Sequence, residues 1–180
     1  MKIYTRTGDS GETGLLGAGR VRKNATRVEA YGGVDELNAC LGVVCAALTD
    51  SGLLELLASI QRDLLAVGAQ LADVRKEKGR DLERAALPAA RVTDLERAID
   101  RFEEELPPLR RFILPGGCET GARLHLARTV CRRTERRIAA LAAEEEIPAV
   151  ILAYVNRLSD LLFVLARLVN HRAGAREIAW

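Results

Sequence analysis

The chain has 180 residues, of which 48% are hydrophobic, 29% are charged and only 4% are aromatic. Its formal net charge is +2, so no overall field favours nucleic acid or an anionic membrane surface. Four cysteines form no CxxC pair, and we expect reduced thiols rather than a disulfide framework. Because the N-terminus lacks an apolar signal core and no apolar run reaches the length of a membrane span, we predict one cytoplasmic domain.

A glycine-rich segment at 5–19, TRTGDSGETGLLGAG, is the first functional signal. Its glycines keep backbone N–H groups accessible and its threonines and serine add hydroxyl donors, a composition typical of phosphate binding. The spacing matches neither a Walker A loop nor the dinucleotide fingerprint. A flexible N-terminal arm has the same composition, so this segment alone is compatible with both interpretations.

Apolar residues that recur at intervals of three and four predict five helices. Their approximate bounds are 26–48, with Thr26 as N-cap, 53–74, 92–106, 118–146 and 149–172. The fifth is apolar around most of its circumference and is predicted to be the central, most buried helix. The charged range 75–91 is predicted to be a mobile connection. With no alternating strand pattern, the fold class is all-α, a bundle with antiparallel neighbours.

The fourth predicted helix places arginines at the edge of the core. Arg128, Arg132 and Glu135 share a stripe beside an apolar face that includes Val130 and Ile138. Because a guanidinium group suits forked contact with phosphate oxygens, this stripe indicates an anion site. The alternative is a solvated face with surface ion pairs, and the helix alone leaves both interpretations open.

Two further features are candidates for ligand contact. Phe112 lies on a short loop bounded by prolines and glycines, where an aromatic ring is either packed in the core or held out for a ligand. On the fifth helix, one stripe interrupts the apolar surface and faces a site, a subunit interface or water. Its members are Asn156, Asp160, Phe163, Arg167 and Asn170.

The residues that are absent also restrict the chemistry. The chain has two histidines, no His, Cys or Asp cluster with metal-ligand spacing and no Ser/His/Asp set. The remaining groups suit a nucleotide polyphosphate with a metal ion, and catalysis by positioning and charge stabilisation. The nucleophile would then belong to another molecule.

Five segments, in the same order, resemble the signature blocks of the PduO-type ATP:corrinoid adenosyltransferases: TRTGDSGETGLLG, YGGVDELNA, FILPGG, ARTVCRRTERR and NRLSD. The resemblance implies a five-helix bundle with a ferritin-like up-down arrangement, assembled as a homotrimer with active sites at the subunit interfaces. It implies transfer of the 5′-deoxyadenosyl group of ATP to the cobalt of cob(I)alamin, which gives adenosylcobalamin and triphosphate. The alternatives are a non-catalytic nucleotide- or corrinoid-binding protein and a helical scaffold.

The resemblance also implies roles for individual residues. Arg132 is expected to neutralise the triphosphate, and Glu135 to contact Mg²⁺ or the nucleotide. Asp35 is expected to pair with Arg128 across the interface; these two, Arg132 and Phe112 are the implied catalytic residues. The full set implied to bind ATP is Thr5, Arg6, Thr7, Gly8, Asp9, Ser10, Gly11, Glu12, Thr13, Gly14 and Lys23 of one subunit, with Arg132, Arg133, Thr134, Glu135, Arg136, Arg137 and Asn156 of its neighbour.

For the corrinoid, the resemblance implies that Phe112 displaces the lower axial ligand and that Phe163 lies near the same ring. A four-coordinate cobalt(II) state would then be easier to reduce. The single domain divides into an ATP-binding loop at 1–25, the bundle at 26–173 and a tail at 174–180, whose shortness departs from the family pattern. Implied partners are a reductase and an adenosylcobalamin-dependent enzyme, with no nucleic acid and no membrane.

Overall fold

The computed structural model describes residues 3–4, 6–17, 19–75 and 86–180. Within these residues there are five helices, which confirms the all-α fold class. The helices are α1 (Thr26–Cys45), α2 (Ser51–Ala72), α3 (Ala90–Glu103), α4 (Glu119–Glu144) and α5 (Ala149–Arg172). Most of the predicted connection at 75–91 lies outside the described residues, and its last residues already belong to α3.

Helix α5 is the centre of the bundle. It packs against α4 and α3, while α4 also packs against α1, and α1 against α2. Fourteen residues of α5 are buried, on all sides of the helix. By length and composition α5 would pass as a membrane span, but more than half of its most apolar stretch is buried inside the bundle, as expected of a core helix. The predicted bounds of this helix and its central position are both confirmed.

Local capping explains where two helices begin. The Asp50 carboxylate accepts a hydrogen bond from the Leu53 backbone N–H at 3.0 Å, so α2 starts at Ser51, two residues before the predicted start. The Cys118 sulfur accepts from the Gly121 N–H in the same way at the start of α4. The predicted N-cap at Thr26 was wrong by one residue, because Ala25 occupies that position and makes no side-chain cap.

The sequence-based prediction contained no strand, and this was also wrong. Strands β1 (Glu12–Gly14) and β2 (Arg20–Arg22) form an antiparallel hairpin in which Thr13 is opposite Val21. Beyond the hairpin, Leu16 bonds through its backbone to Ala72 and Val74 at 3.2 and 3.0 Å. The glycine-rich segment is therefore held against the end of α2.

A largely buried carboxylate joins three helices at the core. Asp63 of α2 accepts hydrogen bonds from Arg91 of α3 at 2.6 and 2.9 Å and from the Tyr154 hydroxyl of α5 at 2.8 Å. Burial and the adjacent Asp63 charge raise the pKa of Tyr154, so its hydroxyl stays protonated as the donor. The four cysteines are free, and Cys131 is fully buried, where burial raises its pKa and keeps it an unreactive thiol.

Replacing Asp63 with Ala should lower the free energy of unfolding by about 3 kcal/mol, because Arg91 and Tyr154 lose their shared acceptor. Tyr154→Phe removes one donor and keeps the ion pair, so we expect a loss of about 1 kcal/mol. Urea unfolding at one fixed protein concentration compares the two variants. Equal losses would contradict the central position of Asp63 in this network.

Candidate active site

A cleft of about 630 Å³ lies between α3, α4, α5 and the loop that precedes α4. It brings together five candidate residues named from the sequence: Phe112, Arg128, Arg132, Asp160 and Phe163. The remaining lining residues are Glu96, Ile99, Asp100, Glu103, Leu109, Arg157, Ser159 and Val164. The cleft therefore combines two aromatic rings with an arginine pair, and its size falls within the range of small-molecule sites.

Phe112 is not part of the core. Its side chain is 80% exposed at the mouth of the cleft, so of the two alternatives left open for this loop, the ring is held out rather than packed inside. An aromatic ring this exposed forgoes the free energy that its burial would contribute, which is about 2 kcal/mol or more for such a side chain. Its position indicates a ligand or a partner surface.

Phe163, on α5, contacts the arginine stripe of α4. The Arg128 guanidinium carbon lies 5.8 Å from the centre of the Phe163 ring, within the range of a cation–π contact. Burial, and next the charge of Arg132, lower the pKa of Arg128 below its ordinary value. The His125 ring is 6.0 Å from Phe163, and burial together with Arg128 lowers the pKa of His125, which keeps the imidazole neutral at neutral pH.

The other arginines of α4 face different parts of the molecule. Arg133 pairs with Glu36 of α1, and Arg137 pairs with Glu29 and Glu36 at 3.1 and 3.7 Å. Arg136 is exposed and donates to the carbonyl of Arg132 at 3.2 Å. Part of the arginine face is thus neutralised by α1, whereas Arg132 is left at the cleft.

Two predicted ATP contacts on α4 have defined partners within the chain. Thr134 is fully buried and its hydroxyl donates to the Gly33 carbonyl at 2.8 Å, so this side chain joins α4 to α1 instead of facing a ligand. Glu135 accepts from the Asn156 amide of α5 at 2.8 Å. The structure therefore brings Glu135 and Asn156 together.

The N-terminal segment forms a second candidate region around the hairpin. Gly11 has a φ of +82°, and its carbonyl accepts from the Lys23 backbone N–H at 2.9 Å. The Lys23 ammonium lies over Gly8, where an added Cβ would be 3.3 Å from it. Arg20 donates to the carbonyls of Thr7 and Glu12 and so closes the loop. Of the predicted ATP contacts here, Thr5 lies outside the described residues.

Asp35, the predicted partner of Arg128, does not meet it within one chain. Asp35 is exposed on α1, beside a shallow surface depression formed with α2 that includes Leu65 and Gly68. Among the described residues, the ion pairs of this chain join neither Asp35 nor Arg128 to any partner, and the buried Arg128 Nε has no hydrogen-bond partner. Both charges therefore remain available to a second molecule.

The family model for cobalamin adenosyltransferases matches residues 3–169. The chain belongs to the cobalamin adenosyltransferase family. A corrinoid adenosyltransferase of Bacillus subtilis is 45% identical over 184 residues, covering 100% of this chain and 92% of that protein. The corrinoid adenosyltransferase PduO of Salmonella typhimurium is 46% identical over 99% of this chain, which spans only 52% of that longer protein.

Among solved structures, a variant of a PduO-type ATP:corrinoid adenosyltransferase from Lactobacillus reuteri, complexed with cobalamin and ATP, has the same fold. It superimposes with a TM-score of 0.90 at 36% identity and covers 99% of each chain. The aligned range includes the segments that carry Phe112 and the N-terminal hairpin. The family resemblance inferred from the five sequence segments is confirmed.

One wall of the cleft was not predicted from the sequence. Glu96, Asp100 and Glu103 line it from α3, and Arg157 of α5 bonds Glu96 at 3.1 Å and Asp160 at 2.7 Å. The three carboxylates are spaced at intervals of four and three, which places them on one helical face. That periodicity was visible in the sequence, but a solvated surface helix shows it equally.

Gly121→Ala should destabilise the protein, because an added Cβ would lie 2.1 Å from the buried Asn170 amide oxygen. We expect a loss of about 1–3 kcal/mol from overpacking, whereas an unhindered Gly→Ala change inside a helix would gain roughly 1 kcal/mol. A lower melting temperature would therefore indicate overpacking, and a higher one an unhindered helical position. Gly116→Ala, whose Cβ would meet nothing within 4 Å, is the matched control and should change stability by less than about 0.5 kcal/mol.

Proposed function

We propose that the protein transfers the 5′-deoxyadenosyl group of ATP to the cobalt of a reduced corrinoid, releasing triphosphate. Membership of the cobalamin adenosyltransferase family makes the chain an enzyme that transfers an alkyl group. The observation that carries the assignment of the site is the cleft in which Phe112, Phe163 and Arg132 meet. It offers aromatic surface for a flat macrocycle and positive charge for a polyphosphate in one place.

The chemistry needs no nucleophile from the protein. Cobalt(I) is a strong nucleophile and triphosphate is a good leaving group, so attack at the ribose 5′ carbon depends on orientation and on anion stabilisation. The side chains near the cleft suit this role. His125 is buried and neutral, and the Cys131 thiol is buried and unreactive, so neither competes for the electrophilic carbon.

On the corrinoid side, Phe112 is proposed to occupy the lower face of the ring and to exclude an axial ligand. Phe163 would contact the same macrocycle from α5. An exposed apolar ring at this position offers no lone pair to the cobalt, which favours the lower-coordinate state that is easier to reduce. The Arg128 guanidinium lies 5.8 Å from the centre of the Phe163 ring, so a positive charge borders the same surface.

On the nucleotide side, the N-terminal hairpin and Lys23 of one subunit are proposed to complete a site with Arg132 and Asn156 of its neighbour. This division is supported by where each part is held: the hairpin is fixed to the end of α2, whereas Arg132 opens into the cleft beside α3 and α5. Arg132 would neutralise the triphosphate as it leaves. Arg133 and Arg137, already paired with carboxylates of α1, would contribute by holding the α4 face in place.

Magnesium is proposed to enter with the nucleotide. Mg²⁺ is commonly held by one or two carboxylates together with substrate phosphates and water. Glu135 offers a half-buried carboxylate beside Asn156, which fits that donor set. Among the described residues, no group of three His, Cys, Asp or Glu side chains could hold a metal ion without a substrate. Glu135 would therefore orient the ion rather than store it.

A homotrimer with a ferritin-like arrangement of helices in each subunit is the assembly that we propose. The support is the pair of unpartnered charges, Asp35 on α1 and Arg128 on α4, which an interface between copies would bring together. Arg128 is part-buried, and the exposed Asp35 of a neighbouring copy would compensate for its lost hydration. We also propose a cytoplasmic enzyme that receives its corrinoid through a reductase and passes the product to an adenosylcobalamin-dependent enzyme.

Incubating the protein with ATP and chemically reduced cobalamin should convert the absorption spectrum of the corrinoid to that of the adenosylated product. Triphosphate should accumulate in equal amount. ATP binding without product would instead favour a non-catalytic protein that delivers or senses the cofactor. Binding of neither substrate would favour a helical scaffold.

Arg132→Ala should lower kcat/KM for ATP by about 100-fold, because the developing charge on the triphosphate loses a preorganised guanidinium group. Arg123→Ala is the matched control on the same helix. Arg123 bonds Glu119 and the Val43 carbonyl, away from the cleft, and its removal should change kcat/KM by less than about twofold. Steady-state kinetics with saturating corrinoid measures both; similar losses would refute a specific role for Arg132.

Asp35→Arg should weaken the assembly, because it places like charges opposite each other at the proposed interface. Arg128→Asp should do the same, and the double variant should recover a substantial part of the trimer. Analytical ultracentrifugation measures the oligomeric state of all three. Glu36→Gln is the control, since Glu36 pairs with Arg133 inside the chain. A double variant no more trimeric than the single ones would count against this pair.

A further inference from the structure

The C-terminal tail runs back over the loop that carries Phe112. The Leu114 backbone N–H donates to the Ile178 carbonyl at 2.8 Å, and the Trp180 N–H donates to the Phe112 carbonyl at 2.8 Å. Ile113 and Ala179 lie opposite each other as antiparallel partners. The last three residues of the chain thus form a short strand against the apex of the loop.

Arg167 anchors this tail from the buried helix α5. Its side chain is only 4% exposed; Nε donates to the Glu177 carboxylate at 3.0 Å, and one terminal nitrogen donates to the Pro107 carbonyl at 2.9 Å. A guanidinium group this deeply buried is stable only with a compensating charge, which Glu177 supplies. One side chain therefore fixes both the start of the loop and the start of the tail strand.

Asn170, one turn further along α5, fixes the other end of the loop. Its amide oxygen accepts from the Cys118 N–H and its amide nitrogen donates to the Gly116 carbonyl, both at 2.9 Å. The loop is thus held by α5 at both ends and by the tail at its apex. Because the Phe112 ring is exposed and has little core packing, the position of this ring is set by the backbone that the tail holds.

We propose that Glu177 is a positioning residue for the transfer reaction. Through its ion pair with Arg167 it keeps the tail strand on the loop, and the strand keeps Phe112 at the mouth of the cleft. The inference rests on the function proposed above, since it concerns how the corrinoid side of that site is held. The tail follows α5 and lies outside the helical core, so a release that keeps the buried ion pair, as in a deletion of residues 178–180, should change catalysis more than global stability.

Glu177→Gln tests the proposal with a change of charge at nearly constant shape. If release leaves the tail docked about a tenth of the time, kcat should fall about tenfold while the KM for ATP changes less than about twofold. Trp180 is the only tryptophan and is 86% exposed, so its fluorescence anisotropy reports directly on the tail and should decrease. The fraction of cob(II)alamin that becomes four-coordinate in the presence of ATP, read from its absorption spectrum, should decrease in parallel.

Glu105→Gln is the matched control. Glu105 lies just after α3 and pairs with Arg172 of α5 at 2.7 Å. This ion pair does not involve the tail. It should leave kcat, Trp180 anisotropy and the cob(II)alamin spectrum unchanged.

Deletion of residues 178–180 supplies a second, independent variant. It keeps the ion pair of Arg167 and removes both backbone bonds to the loop, so kcat should fall as in Glu177→Gln while the melting temperature is retained. Normal kcat in the deletion variant, or normal kcat in Glu177→Gln despite a mobile tail, would overturn the proposal. A wild-type protein that forms no adenosylated product would overturn the proposed function instead.

Discussion

The burial of α5 is the constraint on which the rest of the structure depends. Because this helix is surrounded by other helices, each polar side chain on its buried surface needs a partner to offset its lost hydration. Tyr154 finds Asp63 of α2, Arg167 finds Glu177 of the tail, and Asn170 finds the backbone of the loop before α4. The polar residues of one apolar helix thereby determine where a neighbouring helix, a loop and the C-terminus are placed.

The same principle separates the arginines of α4 into two groups. Those that face α1 are neutralised by its carboxylates, which holds the two helices in register. Those that face the cleft, Arg128 and Arg132, have no such carboxylate among the ion pairs of the described residues, and burial together with the charge of Arg132 lowers the pKa of Arg128. Two like charges side by side at a part-buried surface are unfavourable in the free protein, and a polyanion or an opposing carboxylate relieves that cost. Electrostatic strain of this kind is what a charge-stabilising site requires.

The sequence predicts the helices better than the connections, for a physical reason. Helix α5 carries an apolar pattern over 24 residues, long enough for its period to determine both ends. Strands β1 and β2 have three residues each, too few for an alternating pattern, so the hairpin could not be recognised. The pairing of Ile113 with Ala179 joins segments far apart in the sequence, so no local pattern could predict it. The family blocks supplied candidate site residues such as Phe112, but not the tail that pairs with the loop of Phe112.

Buried polar atoms without hydrogen-bond partners indicate where a ligand or a second chain could bind. Within the described residues, both ring nitrogens of His125 and the Nε of Arg128 are buried without a hydrogen bond, and these two residues lie one turn apart on α4. Such unsatisfied atoms destabilise the folded chain, and they are found where water, a ligand or another chain supplies the hydrogen bond. Both residues lie near the Phe163 ring, at 6.0 and 5.8 Å, and Arg128 also lines the cleft. If a corrinoid in the cleft and a carboxylate of a neighbouring copy both contact this stretch of α4, as proposed, substrate binding and assembly would stabilise each other.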